Sequence, residues 1–141
     1  IEENIKKSGM KNIRAVQKDA RMLDLDSIDK ADLIIADLPC SGLGTLRRKT
    51  DIRFRMTEED EKSLALLQRE ILSVVCQYVK CGGILIYSTC TMDRMENEEN
   101  IKWFLEKNPQ FSLEMQRQFF PDEGMSDGFY IAKLIRKQVK S

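Results

Sequence analysis

The chain has 141 residues, and its 23 basic and 23 acidic side chains cancel, so no overall charge directs it to nucleic acid. It contains no histidine, which excludes a Ser-His-Asp triad, a histidine general base and a metal site with a histidine ligand. A chain of this length is expected to form one domain with its own core.

The four cysteines bear on the compartment. They lie at positions 40, 76, 81 and 90, and no two of them are spaced as Cys-x-x-Cys, so a zinc ribbon is not expected. No apolar stretch has the length that a membrane span requires. We therefore expect free thiols in a reducing, cytoplasmic setting, without a metal or a membrane.

The N-terminal residues predict one helix and one strand. Residues 1–8 have a helical pattern that ends at Gly9, with no capping residue before it. Residues 12–17 (NIRAVQ) predict a strand, and Asp19 follows at its carboxyl end. Local sequence alone explains Asp19 equally well as a solvated turn residue. Because the chain opens inside a helical pattern, we expect a fragment of a longer protein.

A βαβ unit is predicted in the middle of the chain. Continuous apolar runs at 31–36 and 83–87 are typical of parallel strands that are covered on both faces. The amphipathic helix between them begins in a capping-box pattern at Thr57 and ends at Gly82-Gly83. Such a unit has a right-handed crossover. Two cysteines in or just after this helix are expected to be buried and structural: Cys76 and Cys81.

A loop without clear periodicity covers residues 38–56. Structureless segments of this length in a compact domain are usually functional or disordered. Basic side chains with an aromatic neighbour lie in this segment: Arg47, Arg48, Lys49, Arg53 and Phe54. Each alone is best explained as part of a solvated surface, but together they favour contact with an anionic polymer such as RNA.

One helix and two strands are predicted to close the chain. Asp93 and Glu96 predict a helix start, and the helix is expected to end before Pro109. Three acids in its first turn are expected to form a solvated face: Glu96, Glu98 and Glu99. Residues 111–115 and 128–135 predict the two strands.

Two thiols and one carboxylate are expected to meet at one edge of the sheet. Cys40 and Cys90 each follow a predicted strand, and parallel strands end at the edge where open α/β sheets bind ligands. Cys90 also precedes a predicted helix N-terminus, which favours a thiolate. Asp37 ends the first strand and is a candidate to move a proton if it is buried.

This set of groups suits attack on an electron-poor pyrimidine ring better than it suits a protease. Addition of a thiolate to C6 of cytosine, with N3 protonated, makes C5 able to accept a methyl group. A second base must then remove the C5 proton, after which the thiol is eliminated.

Four segments resemble the Sun/Fmu-type RNA cytosine-C5 methyltransferases, and most closely the bacterial members that act on small-subunit (16S) ribosomal RNA. The similarity extends over nearly the whole chain, and the order of its Pro-Cys and Ser-Thr-Cys motifs is specific. The segments are DLPCSGLG at 37–44, LRRKTDIRF at 46–54, GGILIYSTCTMDRMENEEN at 82–100 and DGFYIAKL at 127–134.

The resemblance implies an α/β, Rossmann-like class I fold that depends on S-adenosylmethionine. It implies that Cys90 is the nucleophile that attacks C6, and that Cys40 assists proton removal and product release. By the same resemblance Asp37 contacts both the cytosine and the cofactor, and Asp19 takes part in cofactor binding.

The chain also departs from the family pattern. Enzymes of this type carry a Gly-rich cofactor loop after their first strand, a ribose-binding acid after the second strand and an N-terminal RNA-binding domain, and none of these is found in this sequence. We therefore expect residues 1–141 to be the C-terminal part of one catalytic domain, inactive alone. Its sheet would have a gap between the 12–17 and 31–36 strands, and unpaired edges favour self-association.

Three alternatives stay open. A DNA cytosine-C5 methyltransferase would use Cys40 as its nucleophile, but the Ser-Thr-Cys motif argues against it. An amino-group methyltransferase usually has an Asn/Asp-Pro-Pro-aromatic motif at 37–40, where this chain has DLPC. The chain could instead be a non-catalytic RNA-binding or assembly module whose cysteines respond to redox conditions.

Overall fold

The computed structural model describes residues 1–45, 56–121 and 127–140. Its helices are α1 (Glu2–Ser8), α2 (Glu58–Val75) and α3 (Glu98–Lys107), and its strands are β1 (Ala31–Asp37), β2 (Val79–Thr89), β3 (Phe111–Phe119) and β4 (Phe129–Arg136). Single 3₁₀ turns occur at Leu25–Ser27, Leu43–Thr45 and Cys76–Tyr78. Within these ranges, no helix combines the length and the apolar character needed to cross a membrane.

The four strands form one mixed sheet in the order β1-β2-β4-β3. β1 and β2 are parallel, with Ile35 opposite Ile86 and Asp37 opposite Ser88. β4 is antiparallel to both of its neighbours, β2 and β3. The parallel pair and the two closing strands are therefore confirmed, and β1 and β2 end at the same edge.

The core lies on one face of the sheet, under α2 and α3. Leu72 and Phe104 from these helices are fully buried against Leu85, Tyr87 and other residues of the strands. The opposite face is less covered, because Leu33 and Ile35 of β1 are 51% and 66% exposed. The expectation that both faces of this strand pair are covered is therefore wrong for the described residues.

The strand predicted at 12–17 is not formed. The four-stranded sheet offers this segment no hydrogen-bonded neighbour among the described residues, and a strand exists only through such pairing. Ile13 and Val16 are about half exposed as a result. The helix predicted just before this segment is confirmed as α1, and Gly9 ends it with φ 69°.

The predicted end of the long helix is also wrong. Helix α2 ends at Val75, and the glycines at 82 and 83 lie inside β2. The pairing of β1 with β2 slips here, because Ala31 pairs with Val79 while Leu33 pairs with Ile84. Glycine is common both at helix ends and at irregular positions in strands. Here the two glycines lie where the pairing of β2 with β1 is irregular.

The helix starts and the two structural cysteines give mixed outcomes. Thr57 and Asp60 form the predicted capping box at the start of α2. Helix α3 begins at Glu98, later than predicted, because residues 93–97 form turns in which Asp93 Oδ1 accepts from Met95 N.

Cys76 is buried as expected, and burial raises its pKa to about 11. Cys81 lies in β2 and is exposed, so its expected burial is wrong.

Candidate functional site

Two thiols meet beyond the ends of β1 and β2. The Sγ atoms of Cys40 and Cys90 are 3.0 Å apart, and the backbone N of Cys90 donates to Cys40 Sγ at 3.3 Å. Both cysteines are free and partly buried. The sequence predicts that they share this edge, and the structure brings them into direct contact.

The surroundings keep Cys40 protonated at neutral pH. Burial raises the pKa of its thiol from 9.0 to about 12, and the hydrogen bond with Cys90 acts in the same direction. Both causes disfavour a thiolate at Cys40. In this geometry Cys40 can therefore donate a hydrogen bond to the sulfur of Cys90.

The turn that carries Cys40 is fixed by a buried carboxylate, that of Glu96. Its Oε1 accepts from Ser41 N and from Gln68 Nε2, both at 2.9 Å, and its Oε2 accepts from Ser41 Oγ at 2.5 Å. Gln68 Nε2 also donates to the carbonyl of Pro39 at 2.9 Å. The peptide groups on both sides of Cys40 are thus held by side chains from the body of the fold.

The burial of Glu96 corrects the prediction of a solvated acidic face. Its side chain is fully buried, because residues 93–97 form turns and not the first turn of the helix. Glu98 is partly buried, and one of its oxygens has no hydrogen-bond partner among the described residues. Glu99 is exposed, as expected.

The segment after Cys90 has its own set of hydrogen bonds. Asn97 accepts from Thr89 Oγ1 at 2.6 Å and donates through Nδ2 to the carbonyl of Thr91 at 3.0 Å. Thr91 Oγ1 also shares a hydrogen bond of 2.8 Å with Ser41 Oγ. The end of β2 is therefore fixed on both sides of Cys90 and joined to the turn of Cys40.

A close glycine contact joins the loop after Cys40 to the strand ends. Gly44 N donates to the carbonyl of Cys90 at 3.0 Å, and Gly128 N donates to the carbonyl of Gly44 at 2.7 Å. A Cβ at position 44 would lie 2.2 Å from Gly128 O and 2.6 Å from Cys90 O. Only glycine allows this approach.

Asp37 lies at the end of β1 but is exposed. Its Oδ1 accepts from Ser88 Oγ at 2.9 Å. The burial that its expected proton transfer depends on is therefore not observed. The position at the sheet edge, next to β2, is the one predicted.

Asp19 is exposed and paired with Arg21. Its two oxygens accept from Arg21, from the backbone N at 2.9 Å and from Nη2 at 2.8 Å among others. These hydrogen bonds lower the pKa of Asp19 to about 2. None of its contacts within the described ranges reaches the two thiols.

The four basic residues predicted to bind RNA lie outside the described residues: Arg47, Arg48, Lys49 and Arg53. Sequence reasoning missed Gln68 and assigned Glu96 to the solvent. Glu96 lies inside the segment GGILIYSTCTMDRMENEEN, but nothing in its local pattern separates it from the exposed acids that follow.

The arrangement supports chemistry in which two sulfurs have different roles, one as a nucleophile and one as a hydrogen-bond donor. One thiol is held protonated, and a second sulfur lies in contact with it at an open sheet edge. Such a pair can form a covalent bond to an electrophilic carbon through one sulfur while the other assists bond cleavage.

Known proteins share both the sequence and the fold. The chain is 36% identical over 155 residues to the probable ribosomal RNA small subunit methyltransferase B of Bacillus subtilis (strain 168), covering 97% of this chain and 35% of that protein. It is 36% identical over 146 residues to the tRNA (cytosine(72)-C(5))-methyltransferase of Pyrococcus horikoshii, covering 95% and 36%. The crystal structure of NSun6 from Pyrococcus horikoshii with SFG aligns with a TM-score of 0.81 and 34% identity, over 98% of this chain and 38% of that chain.

These matches define the fold and the family. The chain spans about a third of the length of the curated relatives it matches. Its mixed sheet corresponds to part of the Rossmann-like class I methyltransferase fold, as the sequence predicts. The family model described as 16S rRNA methyltransferase RsmB/F matches residues 1–135. The chain therefore belongs to the RsmB/F family of 16S rRNA methyltransferases.

Proposed function

We propose that residues 1–141 are the C-terminal part of the catalytic domain of an S-adenosylmethionine-dependent RNA (cytosine-C5) methyltransferase. The single observation that carries this proposal is the contact of 3.0 Å between the sulfurs of Cys40 and Cys90. Membership of the RsmB/F family supports it, as does the match to a tRNA cytosine-C5 methyltransferase.

In the proposed reaction Cys90 is the nucleophile. Its thiolate forms a bond to C6 of the cytosine, a proton from solvent reaches N3, and the electrons of the C5–C6 double bond become available at C5. S-adenosylmethionine, when bound, supplies the methyl group that C5 takes. Addition and elimination then use the same sulfur.

Cys40 acts at release. As the C5 proton passes to water beside Cys40, the double bond between C5 and C6 re-forms, the C6–S bond breaks and N3 returns its proton to solvent. The Cys40 thiol, whose pKa of about 12 keeps it protonated, donates a hydrogen bond to the departing sulfur of Cys90. A protonated neighbour stabilises a leaving thiolate more than it stabilises the thioether.

The described residues fit part of the cofactor. Asp37 has an exposed carboxylate at the sheet edge, with acceptor positions left beside its hydrogen bond from Ser88. Asp19 borders a shallow groove next to Met22 and Leu23, whose exposed apolar side chains suit a ring. Because Arg21 occupies both oxygens of Asp19, we propose that cofactor binding by Asp19 displaces this pairing.

Small-subunit ribosomal RNA is the substrate that we propose. The description of the matching family and the Bacillus subtilis relative both support it. The tRNA enzyme of Pyrococcus horikoshii matches at the same identity, which makes tRNA the second candidate.

Four basic residues are proposed to contact RNA phosphates: Arg47, Arg48, Lys49 and Arg53. Four free thiols support the expected cytoplasmic setting.

The experiment that tests the proposal separates the two thiols in the full-length protein that contains this sequence. We expect Cys90→Ser to lower methyl transfer to RNA on the order of a thousandfold and to form no covalent RNA adduct. Cys40→Ser should accumulate that adduct, because attack proceeds while release is slow. Denaturing gels of protein mixed with labelled RNA and cofactor measure the adduct.

Cys81→Ser is the matched control, since Cys81 is a free and exposed cysteine on β2. It should methylate RNA like the unmodified protein and accumulate no adduct. An adduct that survives loss of Cys90 but disappears with loss of Cys40 would reverse the two roles and favour the DNA-type mechanism. Full activity in both Cys40→Ser and Cys90→Ser would contradict the proposed thiol roles, and absence of methyl transfer and adduct in the unmodified full-length protein would favour the non-catalytic alternative.

A further inference from the structure

We propose that Glu96 is a positioning residue for Cys40 and thereby for the release step. The inference rests on the proposed function, because it links Glu96 to the release step, in which Cys40 is proposed to act. Glu96 itself does not touch the reacting atoms in this proposal. It acts by holding the turn that carries the thiol.

The hydrogen bonds that hold this turn converge on one oxygen. The two residues that flank Cys40 are each held by one backbone group. Pro39 is held through its carbonyl and Ser41 through its N–H. Gln68 Nε2 donates to Pro39 O and to Glu96 Oε1, both at 2.9 Å, and Ser41 N donates to the same Oε1 at 2.9 Å. Loss of the Glu96 side chain therefore removes the acceptor common to both sides of Cys40.

Glu96 is itself anchored in the body of the fold. It is fully buried, and its backbone carbonyl accepts from the hydroxyl of Tyr87 in β2. Gln68 is fully buried as well, and its Oε1 accepts from Asn100 Nδ2 at 2.8 Å. Buried polar groups with all partners satisfied rigidify their surroundings, whereas a missing partner is costly.

Cys90 contacts the turn through Cys40 Sγ, and it also has anchors that do not involve Glu96. Its carbonyl accepts from Gly44 N at 3.0 Å, and Asn97 holds the backbone of Thr91 just after it. Neither oxygen of Glu96 takes part in these contacts. We therefore expect loss of the Glu96 side chain to displace Cys40 while Cys90 keeps its place.

The consequence is a distinctive kinetic signature. With Cys40 displaced, Cys90 still attacks C6, but the departing sulfur loses its hydrogen-bond donor. We expect Glu96→Ala to lower kcat by about a hundredfold, the scale of an effect from misplacing a group by about an ångström. The KM for RNA should fall with kcat, because slow breakdown of a covalent intermediate lowers both. The covalent RNA adduct should accumulate, as is expected for Cys40→Ser.

The conservative variant Glu96→Gln separates positioning from charge. The carbonyl oxygen of the glutamine can replace Oε1 and accept from both N–H donors. Its amide can donate to Ser41 Oγ, whose hydroxyl can then donate to Thr91 Oγ1. We expect Glu96→Gln to recover turnover to within about tenfold of the unmodified protein and to accumulate little adduct, because hydrogen bonds and not charge hold the turn.

The test uses the full-length protein, with steady-state kinetics on an RNA transcript, denaturing gels for the adduct and thermal melts for folding. Two controls separate positioning from general damage. Glu99→Gln changes an exposed acid and should behave like the unmodified protein. Leu72→Ala removes a fully buried core side chain, and should lower the melting temperature without adduct accumulation.

Should Glu96→Ala fail to fold, Gln68→Leu tests the same inference, because it keeps the side-chain volume and removes the donor to Pro39 O. It should accumulate the adduct too. Unchanged turnover in a folded Glu96→Ala, lost turnover without adduct, or a Glu96→Gln as defective as Glu96→Ala would overturn the positioning role while leaving the proposed function intact. Absence of adduct in Cys40→Ser would instead overturn the proposed thiol roles, and the inference with them.

Discussion

Burial gives Cys40 a different reactivity from that of Cys81, although both are free cysteines. Cys40 is partly buried, its sulfur touches that of Cys90, and its pKa is raised to about 12. Cys81 is exposed on β2. Since the thiolate is the form that reacts, burial decides how fast each cysteine reacts.

We predict that iodoacetamide alkylates Cys40 about a hundredfold more slowly than Cys81 at pH 8, because Cys40 is partly buried with its pKa raised to about 12, whereas Cys81 is exposed. Its rate should keep rising up to pH 11, since the thiolate fraction increases until the pH passes a pKa of about 12. Peptide mass spectrometry after timed labelling of the full-length protein measures both rates. Equal labelling of the two cysteines at pH 8 would contradict the assignment.

Individual residues show what sequence can and cannot reveal about the site. The meeting of Cys40 and Cys90 follows from two strand ends, because parallel strands place their carboxyl ends side by side. The role of Glu96 does not follow, since an acid soon after a capping Asp is usually solvated. Its burial depends on Ser41, which lies 55 positions away in the sequence. Proton transfer by Asp37 depends on burial, and the structure leaves this side chain exposed.

At the level of elements, the predictions that the structure confirms are those for strands and helices whose sequence pattern is local. The capping box of Thr57 and the apolar runs of β1 and β2 are local, and both are confirmed. The 12–17 strand failed because pairing is a property of the sheet and not of one segment. The helix end predicted at Gly82-Gly83 is wrong, because glycine suits an irregular strand pairing as well as a helix stop, whereas Gly83 does lie in a strand as predicted.

The loop after Cys40 depends on the close approach of Gly44 to the ends of β2 and β4. We predict that Gly44→Ala lowers methyl transfer by about a hundredfold, because its Cβ would lie 2.2 Å from one backbone oxygen and 2.6 Å from another. Those oxygens belong to Gly128 and Cys90, and backbone atoms of paired strand ends cannot easily move away. Methyl transfer by the full-length variant, with a thermal melt to confirm folding, tests this.

Gly9→Ala is the matched control for that substitution. Gly9 ends α1 with φ 69°, and a Cβ there would meet no atom within 4 Å. It should lower stability by about 1 kcal/mol through backbone strain and leave turnover unchanged. If Gly44→Ala retained full turnover, the close packing of this loop would not be needed for the reaction.

At the scale of the whole molecule, the described residues form a core on one face of the sheet and leave the other face partly exposed. The described helices α2 and α3 lie on the first face, whereas Leu33 and Ile35 of edge strand β1 remain more than half exposed. The apolar run of β1 correctly predicts the strand but not the exposure of its second face. This exposure could not be predicted, because burial depends on what packs against a strand and not on the sequence of the strand alone.

We predict that residues 1–141 expressed alone self-associate, because an exposed apolar edge strand offers unpaired N–H and C=O groups together with apolar side chains. Leu33→Lys should shift the isolated chain toward the monomer, since edge lysines oppose pairing between chains. Light scattering coupled to size-exclusion chromatography, over a range of protein concentrations, measures the shift.

Leu66→Lys provides the control for this last substitution, because it introduces the same charge in place of another exposed leucine. Leu66 lies on α2 and is 57% exposed, close to the 51% of Leu33, but it belongs to no strand. The association of Leu66→Lys should therefore match that of the unmodified chain. If both lysine variants reduced self-association equally, the added charge alone would explain the effect. A chain that stays monomeric at every concentration would show that the β1 edge is protected in solution.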